Sequence, residues 1–180
     1  MSLLRYSALK PQPWLGGGGV TRVLAESGGT DFDWRISIAE VSQPGPFSAL
    51  PGIDRVITLI EGEFLLLDVN GVEHGLEKFR PFRFSGDSET RAELPTGPGM
   101  DLNVMTRRDK FRGFVTVLEL SKKRPHPVFD DQWAVLLQGS AELQDGTTMN
   151  RFDALAGDGT TPELIGRGFL AVISLEPVTD

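Results

Sequence analysis

The stretch Val56–Gly62 (VITLIEG) is an apolar run that ends on glycine, and a second run of the same form follows at Trp133–Gly139 (WAVLLQG). Each run leads into a further apolar stretch that ends in a turn pair, Asn70-Gly71 in the first copy and Asp145-Gly146 in the second. Such pairs are strong signals for a two-residue hairpin. The chain therefore repeats a strand–glycine–strand–turn pattern, which predicts two related β modules.

The correspondence continues to the end of each copy. A segment ending in Gly-Asp follows in both, as Phe82–Asp87 and as Ala154–Asp158. Each copy then closes with a strand-like run, Leu102–Met105 in the first and Leu170–Ile173 in the second. The modules are expected at residues 1–120 and 121–180, the second being smaller, with a linker at residues 121–130. Because a unit of about 60 residues has little core of its own, we expect the two to pack as one continuous body.

A further strand is predicted upstream of the first copy. Residues Phe32–Glu40 alternate with a period of two, which places Phe32 and Trp34 on one face and Arg35 and Ser37 on the other. The chain has 21 Gly and 12 Pro, and amphipathic helical periodicity does not extend beyond two turns. These features predict an all-β sandwich or barrel with few short helices.

Composition excludes several classes of protein. A net charge of −7 argues against a nucleic-acid-binding protein, and the absence of cysteine excludes disulfides and thiolate chemistry. No window is long and apolar enough to span a membrane, and the N-terminus lacks the apolar core of a signal peptide. We therefore expect a cytoplasmic protein that contacts neither membrane nor nucleic acid.

Metal and cofactor chemistry have little support in the sequence. The two histidines, His74 and His126, lie in different segments and have no partner at ligand spacing, so no metal site is predicted. The run Gly16–Gly19 lacks the Lys-Ser/Thr pair and the following helix of a phosphate loop. It is interpreted as a flexible or close-packed start of a strand, and no cofactor and no catalytic residue are assigned.

A set of polar residues on strands forms the candidate site. Arg35 and Ser37 share one strand face, Asp101, Asn103 and Met105 share another, and Arg55 precedes the first apolar run. A guanidinium grips a carboxylate through two hydrogen bonds, an amide orients the ligand, and Met105 or Trp34 supplies an apolar wall. The alternatives are that these positions face solvent, or that Arg35 is a structural partner of Asp33 or Asp101.

Comparison of the copies places the chemistry in the first module. By run matching, Gln132 corresponds to Arg55, and Phe169, Ala171 and Ile173 correspond to Asp101, Asn103 and Met105. The second copy is therefore interpreted as a packing scaffold.

Several motifs, in order, resemble those of the HutD/Ves family. They are Pro13–Arg22, Phe32–Val41, Gly45–Ser48, Pro51–Arg55, Phe84–Asp87 and Gly99–Met105. The resemblance covers most of the first 120 residues and implies a two-module cupin fold, with double-stranded β-helix (RmlC-like) jelly-roll barrels. It also implies a ligand-gripping arginine at Arg55, and a role in modulating bacterial histidine utilisation.

Applied to this candidate site, the resemblance implies a non-enzymatic protein that binds a pathway carboxylate such as urocanate, formiminoglutamate or formylglutamate. The predicted site residues are Arg55, Arg35, Ser37, Asp101, Asn103, Met105 and Trp34. The alternative is a metal-independent cupin isomerase or hydrolase that acts on a small carboxylate. The sequence leaves open whether the chain forms a homodimer or contacts a pathway regulator.

Overall fold

The computed structural model describes residues 2–179, which consist almost entirely of antiparallel β-sheet. Within this range, helical structure is limited to two single-turn 3-10 helices, Tyr6–Ala8 and Gly29–Asp31. A helix with the length and apolarity to cross a membrane is absent from the same residues. The predicted all-β fold with few short helices is confirmed.

The strands are numbered in chain order. They are β1 (Ser2–Leu4), β2 (Gln12–Pro13), β3 (Gly19–Ser27), β4 (Trp34–Val41), β5 (Gly45–Pro46), β6 (Ile53–Glu61), β7 (Phe64–Val69), β8 (Val72–Glu77), β9 (Phe82–Ser85), β10 (Thr90–Glu93), β11 (Gly99–Arg107), β12 (Phe111–Glu119), β13 (His126–Pro127), β14 (Gln132–Leu143), β15 (Thr148–Met149), β16 (Ala154–Ala156) and β17 (Glu163–Pro177).

The strands form two compact units. The large unit comprises residues 10–113 and 177–179, and the small unit comprises residues 2–9 and 114–176, so the division falls within β12. The boundary at residue 120, which the sequence repeat predicts between the two modules, stays a prediction, because the compact units are defined by contacts and not by the repeat.

The large unit contains a six-stranded sheet of order β2-β3-β4-β11-β6-β9 and a four-stranded sheet of order β5-β10-β7-β8. Side chains from both sheets bury a shared core. Its members are Ile57, Leu59, Leu65, Leu67, Leu76, Phe84 and Ala92. Burying aliphatic side chains of this size removes about 1.5–3 kcal/mol each of unfavourable hydration, so this core fixes the position of β6 and β9.

The two predicted hairpins differ in their turns. Asn70 and Gly71 both have positive φ, 51° and 81°, and Val69 pairs with Val72, so the two-residue hairpin between β7 and β8 is confirmed. In the second copy, of the two turn residues Asp145 and Gly146, only Gly146 has positive φ. Glu142 pairs with Thr148, and the Leu143 amide donates to the Thr147 carbonyl at 2.8 Å, so residues 144–146 form a three-residue loop and the two-residue prediction was wrong there.

The start of β4 also departs from the prediction. The strand begins at Trp34 rather than Phe32, because the preceding 3-10 helix Gly29–Asp31 changes the direction of the backbone. Phe32 is consequently released from the alternation that would have placed it on the same face as Trp34.

The small unit is built on one sheet of order β1-β16-β14-β17-β12, with β13 added to β17 and β15 added to β14. The sheet encloses an apolar cluster. Its members are Leu120, Val128, Ala134, Leu136, Ala141, Leu143, Met149, Leu155, Leu164, Leu170 and Val172. Its N-terminal strand β1 pairs with β16, a long-range connection that no sequence signal indicated.

Asp153 anchors that N-terminal segment. The residue is 2% exposed, and its carboxylate accepts hydrogen bonds from the Arg5 guanidinium at 2.7 Å, the Tyr6 backbone amide at 3.0 Å and the Asn150 backbone amide at 2.9 Å. A buried carboxylate that accepts several hydrogen bonds is stabilising as long as all of its partners remain.

Asp153→Ala should therefore lower the free energy of unfolding by about 3 kcal/mol, because two backbone amides and the Arg5 guanidinium lose their acceptor and the segment after β1 loses its anchor. Urea denaturation followed by tryptophan fluorescence measures this change. Asp145→Ala is the control: it removes an exposed carboxylate whose hydrogen bonds are local, and should shift the midpoint far less. Equal shifts for the two variants would contradict the anchoring role of Asp153.

Candidate binding site

The large unit contains a cavity of about 620 Å³, a size typical of small-molecule sites. Its walls come from β3, β4, β6 and β11 and from the segments that precede β3 and follow β4. Six of the seven predicted site residues line it. These are Arg35, Ser37, Arg55, Asp101, Asn103 and Met105.

Strand register explains why these residues meet. Met105 on β11 lies opposite Arg35 on β4 and opposite Arg55 on β6. In the next row of the same face, Asn103 lies opposite Ser37. Because side chains alternate with a period of two, every second residue of neighbouring strands faces the same cavity.

Trp34, the seventh predicted residue, sits on the other face of β4. The cavity-facing residues of that strand are Arg35, Ser37 and Ala39, so the alternation directs Trp34 away from the cavity. Phe32, released from the strand, lines the cavity instead.

Arg55 is the central cation of the cavity. It is 6% exposed, and its guanidinium contacts two phenyl rings, 5.3 Å from the centroid of Phe47 and 4.9 Å from that of Phe84. Burial lowers the pKa of Arg55 to about 10, an effect that the charge of Asp101 opposes, so Arg55 remains a cation at neutral pH. Its buried Nε atom has no hydrogen-bond partner. The two rings hold the planar guanidinium group in one orientation, and its N–H groups can donate hydrogen bonds to an anion.

Asp101 and Asn103 form a polar pair beside this cation. Asp101 is 1% exposed, and its Oδ1 accepts a hydrogen bond from the Asn103 side-chain amide. Burial raises the pKa of Asp101 to about 7, although the hydrogen bond from Asn103 and the charge of Arg55 favour its ionised form. Asp101 Oδ2 and Asn103 Oδ1 are both buried without a hydrogen-bond partner. The pair can therefore accept hydrogen bonds, and Asp101 can exchange a proton near neutral pH.

Arg35 has a different environment from Arg55. Its Nε donates to Glu26 Oε2 at 2.7 Å, and its guanidinium stacks on Phe32 at 4.2 Å. The suggested partners Asp33 and Asp101 were wrong, because register places Glu26 of β3 opposite Arg35 while Asp33 pairs with Lys110 at 3.0 Å. Arg35 thus lines the cavity with its charge already compensated.

Aromatic residues of the site were missed by the sequence reasoning. Phe47 and Trp14 both line the cavity and contact each other edge to face, with ring centroids 6.1 Å apart, and the Trp14 Nε1 donates to Thr21 Oγ1 at 2.8 Å. Phe84 lies opposite Arg55 on β9. Their only signal was membership of the family-like motifs. Period-two alternation says nothing of Trp14 and Phe47, which lie outside strands, and it does not show that Phe84 pairs with Arg55.

The glycine run forms the turn between β2 and β3 and contributes Gly16, Gly17 and Gly18 to the cavity wall. At Gly19 a Cβ atom would lie 2.6 Å from the Trp14 ring, so the backbone must pack directly on the indole. Of the two sequence interpretations, the close-packed start of a strand applies at Gly19.

Pairing corrects the proposed correspondence between the copies. When the Gly-Asp pairs at residues 86–87 and 157–158 are matched, Phe84 corresponds to Leu155. Arg55 pairs with Phe84 and Met105, and Ala134 pairs with Leu155 and Val172. The equivalents of Arg55 and Met105 are therefore Ala134 and Val172 rather than Gln132 and Ile173. Matching of the apolar runs misplaced the equivalent of Arg55 by two residues and that of Met105 by one, because a sequence run does not show which residues pair across neighbouring strands.

The corrected row has a clear consequence for the second copy. Ala134, Leu155 and Val172 all belong to the apolar cluster of the small unit. Where the first copy has a cation beside a cavity, the second has packed aliphatic side chains.

Metal ligation finds no support in the geometry. Among residues 2–179, no group of three or more His, Asp or Glu side chains lies close enough together to hold an ion. His74 packs against the ring of Phe82, with centroids 4.6 Å apart, and His126 lies in β13.

A family model described as HutD matches residues 6–171. The protein Ves of Citrobacter koseri is 42% identical over 123 residues, which cover 64% of this chain and 64% of that protein. The Ves protein of Cronobacter sakazakii is 41% identical over 109 residues, covering 59% and 60%. The matched region thus spans less than two thirds of the length of these relatives.

Solved structures agree over the whole chain. HutD from Pseudomonas fluorescens, determined in a formate condition, has a TM-score of 0.85 at 28% identity and covers 99% of both chains. A conserved protein of unknown function from Pseudomonas aeruginosa has a TM-score of 0.82 at 26% identity, again covering 99% of both.

Proposed function

Since the chain belongs to the HutD family, we propose that it is a non-enzymatic binding protein that holds a small carboxylate in the cavity around Arg55. The ligand we propose is an intermediate of histidine breakdown, such as urocanate, formiminoglutamate or formylglutamate. Through this ligand the protein would modulate bacterial histidine utilisation in the cytoplasm.

The observation that carries the proposal is the environment of Arg55. A buried guanidinium without a compensating hydrogen bond at Nε costs folding free energy, because desolvation of a charge is expensive. Such a cost is offset when an anion binds, since a carboxylate accepts two hydrogen bonds from the fork. Phe47 and Phe84 fix the fork in advance, which reduces the entropy lost on binding.

A second candidate, a metal-independent isomerase or hydrolase, is favoured by Asp101. A carboxyl group with a pKa of about 7 suits general acid–base catalysis, because both protonation states are populated at neutral pH. In that case Asp101 would exchange a proton with a carboxylate substrate held by Arg55.

Calorimetric titration with urocanate, formiminoglutamate and formylglutamate tests the binding proposal. We expect saturable binding of one molecule per chain for at least one of these acids, because the large unit provides a single buried guanidinium fork. The same mixtures, kept for hours and analysed by mass spectrometry, should contain unchanged ligand. A change in the ligand would favour the enzyme, and the absence of binding by all three acids would contradict the proposed ligand class.

A further inference from the structure

The floor of the cavity combines unmet donors and unmet acceptors. Arg55 Nε is a donor, while Asp101 Oδ2 and Asn103 Oδ1 are acceptors, and all three atoms are buried without a hydrogen-bond partner. The Asn103 amide group donates to Asp101 Oδ1, and no hydrogen bond reaches Asp101 Oδ2. Buried polar atoms are normally paired, and an unpaired cluster in a cavity points to a ligand that pairs with it.

A ligand with only a carboxylate can form hydrogen bonds with the donor of this cluster but not with its two acceptors. Its oxygen atoms accept hydrogen bonds and therefore match Arg55, but they offer nothing to the two acceptors. Close to an ionised Asp101, a plain carboxylate is repelled, so it binds best when Asp101 is protonated. A ligand that carries an N–H group in addition to its carboxylate can pair with both halves of the cluster.

From this complementarity we propose that Asp101, together with Asn103, determines specificity by selecting carboxylates that also carry an N–H donor. The inference rests on the proposed function, because it assigns Arg55 to the carboxylate and adds the second recognition element. It places the ligand class among nitrogen-containing acids, in which a ring or amide N–H lies within reach of the carboxylate.

The charged groups around Asp101 make its protonation state the relevant variable. Among the cavity-lining residues, the ionisable side chains are Asp101 on β11, Arg55 on β6 and Arg35 on β4. Arg35 is compensated by Glu26 of β3, which leaves Arg55 as the cation that acts on Asp101. As pH rises through 7, Asp101 changes from a donor to an acceptor and should increasingly favour an N–H ligand over a plain carboxylate.

A matched pair of probes isolates this effect. 3-(1H-Pyrrol-2-yl)acrylate and 3-(furan-2-yl)acrylate share one skeleton and differ only in a ring N–H against a ring oxygen, and neither ring titrates near neutral pH. For the wild-type protein we expect the pyrrole acid to bind at least about tenfold more tightly at pH 8, because an unmet buried acceptor is costly. The preference should shrink toward pH 6, where Asp101 is protonated.

Asp101→Asn provides the mutational test. The side-chain volume is kept, but the titratable acceptor is replaced by an amide, so the preference should fall below about threefold and become independent of pH. Glu73→Gln, which makes the same charge change at an exposed position on β8, is the control and should retain the wild-type preference. The wild-type pH profile decides the question by itself if Asp101→Asn does not fold.

The outcomes separate the two proposals. Equal affinities for the two probes at every pH would overturn the selective role of Asp101 and leave carboxylate binding by Arg55 intact. Failure of both probes to bind would overturn both proposals. A preference for the furan acid would also overturn the inference, because it would show that the cluster needs an acceptor.

Discussion

Replacing Arg55 by alanine is expected to weaken binding of the ligand carboxylate by about 2–5 kcal/mol, roughly 30-fold to several thousand-fold in affinity. The guanidinium is 6% exposed and its pKa is lowered to about 10 by burial, so its charge acts in a poorly solvated environment. Truncation leaves the bound carboxylate without its cation in that environment. Titration calorimetry with whichever histidine-pathway acid binds the wild-type protein measures the loss.

The matched control is Arg35→Ala. This residue lines the same cavity, but its charge is already compensated by Glu26 at 2.7 Å, so its loss should change affinity by less than about threefold. Arg55→Lys should recover only part of the affinity, because an ammonium lacks the planar fork. Equal losses for the two alanine variants would contradict the assignment of the carboxylate to Arg55.

Stability distinguishes a ligand-binding role of Arg55 from a structural one. A buried cation with an unpartnered Nε contributes an unfavourable desolvation term to the folded state. At pH 6, where Asp101 is largely protonated and needs no cation, Arg55→Ala should therefore unfold at the same or a higher denaturant concentration than the wild type. A large decrease in the unfolding midpoint would indicate that Arg55 holds the large unit together instead. The expected combination is lost affinity with preserved stability.

Much of the fold could be predicted because strands leave local signals. The apolar runs at Val56–Gly62 and Trp133–Gly139 fall within β6 and β14 or directly at their ends, and the Asn70-Gly71 turn joins β7 to β8. Both copies place their central strand between the same two neighbours, β9 and β11 in the first and β16 and β17 in the second. Pairing of β1 with β16 could not be predicted, since a three-residue strand has little pattern and its partner lies far along the chain.

The residues of the candidate site likewise fall into those that local sequence signals predict and those that they do not. Asp101, Asn103 and Met105 could be grouped because alternation alone puts them on one face of β11, and the structure places that face in the cavity. The rings of Phe47 and Phe84 could not be placed around Arg55, because their positions depend on a loop and on pairing between β6 and β9. The alternation of residues within each strand predicted the polar groups of the cavity. Which of these groups lie side by side depends on the pairing between strands, which the sequence did not show.

The glycines that close the two apolar runs illustrate how equivalent sequence can serve different geometry. Gly62 lies in a short turn between β6 and β7, with φ of 98°. Gly139 instead lies inside the long strand β14, with φ of 92°, opposite Gly168 of β17. A register shift between Leu136 and Gln138 precedes it, so the second copy bends a continuous strand where the first copy breaks it.

Gly139→Ala is expected to lower the free energy of unfolding by about 3–5 kcal/mol. The positive φ costs any residue with a Cβ about 1–2 kcal/mol, and the added Cβ would lie 1.9 Å from the carbonyl oxygen of Arg167. Relief of that overlap requires β14 and β17 to separate at the point where two glycines face each other. Chemical denaturation, with tryptophan fluorescence reporting on Trp133, measures the change.

Gly146→Ala separates the two causes, because this glycine lies in the same unit with φ of 84° and a Cβ there would meet nothing within 4 Å. It should lose only the backbone contribution, about 1–2 kcal/mol. Gly62→Ala should behave like Gly146→Ala, since its nearest contact, the Cα of Gly99 at 3.4 Å, is ordinary packing. If the free energy of unfolding falls by the same amount in all three variants, backbone conformation alone explains why glycine is needed at these positions. A distinctly larger decrease for Gly139→Ala would show that the close approach of β14 and β17 requires glycine at residue 139.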